Sequence, residues 1–138
     1  MSELVRLSLS IEKPLYDRLE KSVKQSGYTN RSEFVRDMIR RHLVEEEWEK
    51  GKYVLATITL IYDHHKRNLT EKLTHLQHHH HGKVMAATHV HLDKAMCAEM
   101  ILVKGKADEV RRLADRMGQQ KGVLHTDLSM ASTGVSLK

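Results

Sequence analysis

Residues 4–11, Leu-Val-Arg-Leu-Ser-Leu-Ser-Ile, alternate apolar and polar side chains with a period of two, the spacing of a half-exposed strand. Leu7 and Leu9 fall on one side, Arg6, Ser8 and Ser10 on the other. Pro14 sits where a first helical turn tolerates it. Leu15, Leu19 and Val23 then return every four positions, and Gly27 closes the helix. Asn30 to Glu33 resembles a capping box with Asn as N-cap. Phe34, Val35, Met38, Ile39 and Leu43 keep helical spacing to about residue 50, and Gly51 marks a boundary. This strand–helix–helix unit, residues 1–50, is too small to hide its apolar faces alone. Pairing the strand with its copy in a second chain would cover Leu7 and Leu9. It would also leave Arg6, Ser8 and Ser10 on the outside of a two-stranded ribbon, a shape that fits the major groove of B-DNA.

From residue 51 the pattern changes to β–α–β–β–α–β. Tyr53–Tyr62 is rich in β-branched and apolar residues, and Asn68–Gln77 predicts a weak helix with Leu69, Leu73 and Leu76 on one stripe. Val84–Leu92 and Met96–Val103 predict a hairpin ended by Lys104-Gly105. Ala107–Gln120 repeats Val110, Leu113, Ala114 and Met117 at helical spacing, and Gly122 precedes a last alternating strand through Met130. The order predicts a ferredoxin-like, ACT-like α+β sandwich over residues 51–131, with 132–138 as a disordered tail. Parity assigns Val84, Ala86, Thr88, Val90 and Leu92 to the helix-covered face. Met85, Ala87, His89 and His91, with Cys97, Glu99, Ile101 and Val103, fall on the opposite face. That second face then requires another subunit.

Composition narrows the setting. With one Trp, one Phe and four Tyr in 138 residues, there is little large-residue core for two independent units. A single cysteine rules out an internal disulfide framework and fits a reducing cytosol. No signal peptide is visible and no apolar run approaches a membrane span, so a cytoplasmic location is expected. Residues 1–50 carry equal numbers of acids and bases, so the net charge of +5 lies in the second part. That charge permits a polyanion partner without demanding one.

Soft and borderline donors supply the sharper signal. His89 and His91, two apart on a strand, project from one face, and a short hairpin returns Cys97 opposite His91. The run His78-His79-His80-His81 lies just upstream and offers a fourth donor, with His78 at the end of the weak helix able to reach from a neighbouring chain. Three imidazoles and a thiolate suit Ni(II), Cu(II), Zn(II) or Co(II), not Mg(II) or Ca(II).

Over roughly residues 5–131 the chain resembles the NikR family of nickel-responsive transcriptional regulators. The resemblance is carried by Arg6-x-Ser8-x-Ser10, by Gly27-Tyr28-Thr29-Asn30-Arg31-Ser32-Glu33 and by Gln77 with the histidine run. It is completed by the segments around His89, His91, Cys97 and Glu99. It implies a homotetramer, a dimer of dimers, with a ribbon–helix–helix DNA-binding dimer at each end of a metal-binding core. It further implies one Ni(II) per subunit, held in a plane by His89, His91 and Cys97 of one subunit and His78 of another, with Glu99 placed to orient a ligand. The partner it implies is a palindromic double-stranded operator, and the usual output is repression of nickel uptake.

By the same resemblance Arg6, Ser8 and Ser10 match base-reading positions where threonine is common in place of serine. Asn30, Arg31 and Ser32 match a phosphate anchor at a helix start. Glu33 and Asp37 correspond to a weaker cation site, with helix capping and surface ion pairs as the other reading of the same two residues. Lys66 and Arg67 precede the weak helix ending at His78, so metal capture there would present them to the phosphate backbone. A plane filled by four protein donors leaves no substrate position, so an enzyme is not expected.

Overall fold

The structure, a computed structural model, describes residues 3–80 and 82–138; His81, the last of the histidine run, lies outside the described residues. The chain divides into two compact units, Met1–Leu43 with Ser136–Lys138, and Val44–Val135. The division falls inside a helix and not at Gly51, because the last turn of that helix carries Trp48 into the second unit's core.

In the first unit, residues 3–10 form no ladder within the chain, and Leu4, Val5, Leu7 and Leu9 are all at least 75% exposed. The alternation is intact, yet a strand needs a neighbour to bond to, and this unit holds none among the described residues. Two helices follow, α1 (Lys13–Gln25), with Pro14 in its first turn, and α2 (Arg31–Glu49). The Asn30 side chain accepts the Glu33 amide at 2.9 Å, the N-cap half of the expected box. Glu33 does not reciprocate; its carboxylate pairs with Arg36.

The second unit contains β1 (Tyr53–Asp63), α3 (Leu69–His78), β2 (Lys83–His91), β3 (Met96–Lys106), α4 (Ala107–Gly118) and β4 (Val123–Met130). The strands form one antiparallel sheet in the order β2-β3-β1-β4, with β2 at an edge. Val54, Ala56, Ile58, Leu60 and Tyr62 of β1 are fully buried. They form one core with Leu69 and Leu73 of α3 and Val110, Leu113 and Met117 of α4. The second hairpin strand outlasts its predicted end at Val103, because Tyr53 to Leu55 of β1 continue to pair with Lys106 to Lys104.

One expectation is overturned. The β3 partners of the buried β1 residues are Gly105, Val103, Ile101, Glu99 and Cys97, so these lie on the core side of the sheet. On β2, Ala87, His89 and His91 pair with Ile101, Glu99 and Cys97 and share that side. The metal-ligand face is therefore the helix side, not the face left for another subunit. Two physical causes misled parity. An irregularity at Met85 shifts the register, so Val84 and Ala87 fall on the same side. As an edge strand β2 is also almost wholly exposed, so its apolar alternation does not report which face holds the core.

The terminal segment, expected to be disordered, makes defined contacts. Ala131 O accepts from Trp48 Nε1 at 2.8 Å, Ser132 Oγ donates to Glu47, and Gly134, at φ 83°, returns its amide to Ser132 Oγ.

Candidate metal centre and DNA-contact residues

The β2–β3 turn is set by Asp93, whose carboxylate accepts the amides of Ala95 and Met96, each at 2.8 Å. Those bonds hold the Asp93 carboxyl below its usual range. Leu92 donates to Met96 O across the turn, which places Cys97 opposite His91. The Cys97 Sγ lies 3.3 Å from His91 Nδ1 and 3.4 Å from His64 Nδ1. One ligating atom from each of His64, His91 and Cys97 falls within 4.8 Å of the others. His64 arrives there because β1 ends just before it and its amide is tied to Ala95 O at 3.0 Å. Burial, then the charges of Asp93, Asp63 and Glu99, push the Cys97 thiol up.

His89 occupies the next position on β2, its ring centre 5.0 Å from that of His91. Its Nδ1 lies 3.1 Å from the Tyr62 hydroxyl, which donates to Glu99 Oε2 at 3.4 Å. Having given its proton to Glu99, that hydroxyl accepts from His89 Nδ1–H, leaving the His89 Nε2 lone pair free for a metal. Tyr62 keeps its proton because burial, first, and the neighbouring Glu99 and Cys97 charges raise its pKa well above the ordinary phenol value. Gln77 Nε2 donates to Glu99 Oε1 at 3.2 Å, extending the chain of contacts to the last turn of α3.

Of the four expected ligands the chain brings His91 and Cys97 into contact, with His89 alongside. His78 is not in the cluster; it lines an open groove on α3 with Thr74, His75 and His79. The histidine that joins instead, His64, belongs to no spacing motif. Its signal is its place two residues beyond Tyr62, the β1 residue paired with Cys97. Two imidazoles beside a thiol form a donor set suited to a borderline transition metal, and hard cations would find no oxygen cage here.

In the first unit Arg6, Ser8 and Ser10 are exposed on the unpaired segment. Arg31 is engaged within the unit: its Nε meets Glu20 at 2.5 Å, Nη2 donates to Tyr16 Oη at 3.0 Å, and the guanidinium lies over the Tyr16 ring. Ser32 stands exposed in the first turn of α2. Glu33 pairs with Arg36. Asp37 accepts from Tyr28 at 2.5 Å and pairs with Arg40 at 2.8 Å, contacts that hold its carboxyl below the usual range. In the second unit Lys66 and Arg67 are exposed just before α3.

A soft-donor centre on an α+β unit, joined in one chain to a helix pair preceded by an unpaired apolar–polar segment, defines a metal-sensing DNA-binding regulator by class. Residues 55–131 match the NikR C-terminal nickel-binding domain, and residues 5–46 match the ribbon–helix–helix proteins of the copG family. Proteins of Geobacter metallireducens and Geobacter sulfurreducens bearing the provisional name nickel-responsive regulator are each 47% identical over 138 residues, covering 99% of both chains. One of that name from Solibacter usitatus is 45% identical over the full length of both. Among solved structures, the ACT domain from GTP pyrophosphokinase of Chlorobium tepidum aligns with 56% of this chain and 99% of its own, at 16% identity and a TM-score of 0.48. The chain belongs to the NikR family of nickel-responsive ribbon–helix–helix regulators. It is a regulator and not an enzyme, with a DNA-binding domain followed by a nickel-binding one. Among the described residues no helix is long and apolar enough to cross a membrane.

Proposed function

We propose that this protein represses nickel-uptake genes when Ni(II) is bound, acting in the cytoplasm as a homotetramer on a palindromic operator. The observation that carries the reading is the approach of the Cys97 thiol to His91 at 3.3 Å, in a chain whose other domain is of a DNA-binding family. One Ni(II) per subunit is assigned to His89, His91 and Cys97 with His78 of a second subunit. Strong imidazole and thiolate donors favour a planar nickel site, whereas zinc prefers a tetrahedron. When bound, the metal supplies a cross-link between donors; this chain's residues do the rest.

Tyr62 and Glu99 orient His89, and Gln77, adjacent to His78, joins the same hydrogen-bonded chain. In this reading His64 turns away from Cys97 as His78 of the second subunit enters. Fixing His78 holds the C-terminal end of α3, and with it the position of Lys66 and Arg67 at the helix start. Arg6, Ser8 and Ser10 read base edges, while Asn30, Arg31 and Ser32 anchor phosphate at the start of α2. Arg31 would leave Glu20 to do so, and a cation at Glu33 and Asp37 would compete with Arg36 and Arg40.

The test is retention of a nickel-uptake promoter fragment with Ni(II), with a chelator, and with Cys97→Ala. Retention of the wild-type protein should require Ni(II). Cys97→Ala should abolish the thiolate-to-nickel charge-transfer absorption and weaken nickel binding by orders of magnitude. Metal-independent retention of that fragment, or an unchanged absorption in the variant, overturns the proposal.

A further inference from the structure

The outer face of α3 carries chemistry that the nickel site does not use. Leu69 and Leu73 point into the core, while Glu71, His75 and His79 follow one another at four-residue intervals on the other side. The His75 and His79 rings stack with centres 3.9 Å apart and 29° between their planes. Both are exposed along an open groove of about 430 Å³ that Thr70, Glu71, Thr74 and His78 also line.

The tautomer of His79 is settled by its neighbour. Its Nδ1 lies 2.9 Å from the His75 carbonyl oxygen, which can only accept, so Nδ1 carries the proton. The His79 Nε2 is therefore a bare lone pair directed away from the helix. Among the described residues the His75 ring nitrogens bond to none. Two imidazoles one helical turn apart are the smallest helical chelate for a transition-metal ion, and Glu71, one turn earlier, offers a carboxylate for a third position.

We propose that His75 and His79, with Glu71, form a second binding site for a borderline divalent ion of the nickel, copper or zinc type, separate from the Cys97 centre. It shares no ligand with the nickel site proposed above. Such a site would act on α3 itself. That helix buries only Leu69 and Leu73 and starts from Asn68 at φ 62° with no side-chain cap. An ion bridging His75 and His79 would clip its last turn, the turn that carries His78.

The experiment is calorimetric titration of the full-length protein, already loaded with one equivalent of Ni(II), with further Ni(II), comparing wild type with His75→Ala and Glu71→Gln. The thiolate absorption of the first equivalent reports the Cys97 centre independently, and its retention shows that the variants are folded. The wild type should take a second, weaker equivalent. His75→Ala should bind it about ten-fold more weakly or worse, because a chelate is reduced to a single imidazole. Glu71→Gln should weaken it less. With the second equivalent bound, amides of residues 75–79 should exchange more slowly in the wild type and not in His75→Ala. No second equivalent in the wild type, or one that His75→Ala leaves unchanged, overturns the proposal. Loss of the thiolate absorption on the first equivalent would instead refute the Cys97 assignment.

Discussion

Tyr62 has no thiol, no imidazole and no place in any metal-binding spacing, yet its hydroxyl decides which nitrogen of His89 is left free. Its ring is buried on the core side of β1, and its oxygen stands between Glu99 and His89. Tyr62→Phe keeps the ring and removes only the hydroxyl, so the fold should lose no more than about 1–3 kcal/mol. His89 would then be free to rotate and to change tautomer. Nickel affinity, measured by competition with a chelator, should fall about 10- to 100-fold while the stoichiometry stays the same. An affinity equal to wild type would show that the hydroxyl does not orient the ligand. At this scale the sequence is a partial guide. His89, His91 and Cys97 are legible because strand period and hairpin return act over a few residues. Tyr62 and His64 are not, since their part in the site follows from the pairing of β1 with β3, more than thirty residues away in the chain.

Elements are legible where their burial is one-sided. Helix α4 shows its core stripe because Val110, Leu113, Ala114 and Met117 are all buried, and β1 shows its strand character through fully buried alternate residues. The edge strand β2 shows its extent but not its facing, for nothing covers it and a register shift at Met85 breaks the parity. Gly122 illustrates a constraint that the turn pattern signals only in part. Gly122 marks the start of β4 in the sequence, but its φ of 104° and its contact with the segment before α3 belong to the fold. A Cβ there would stand 2.6 Å from Lys66 Cγ, 3.0 Å from Lys66 Cβ and 3.0 Å from Leu69 Cδ2. Lys66 can yield, but Leu69 is a core residue and the backbone conformation is hostile to any side chain. Gly122→Ala should therefore destabilise the protein by about 1–3 kcal/mol, seen as a fall in Tm of several degrees. Its effect on hydrogen exchange should concentrate at the start of α3. A variant as stable as wild type would mean that the β4 entry has room to rearrange.

For the molecule as a whole, the two units are solvated very differently. The sheet unit closes its own core on one side, whereas the first unit leaves Leu7, Leu9, Leu15 and Ile39 half or more exposed. An alternating segment with no ladder partner and bare leucines is a strand awaiting a second chain, which is why the sequence pattern predicts it and the single chain does not form it. Charge follows the opposite division, with the net +5 carried beyond residue 50. A regulator whose reading strand lies in a unit with no net charge gains from phosphate neutralisation elsewhere, and Lys66 and Arg67 are exposed and adjacent to α3. If nickel at His78 orders that helix, those two cations are positioned before DNA arrives, and the ordering cost is removed from the DNA-binding step. Cations on phosphate carry no sequence information, so their signature is in salt dependence. In a titration of operator binding with Ni(II) present, Lys66→Ala/Arg67→Ala should reduce the magnitude of the log–log slope by about 0.9 for each phosphate no longer neutralised. Preference for operator over random DNA should change little. Arg6→Ala should do the reverse, flattening that preference at a nearly constant slope. A double variant with the wild-type slope would leave Lys66 and Arg67 as solvated surface and require another route from nickel to DNA.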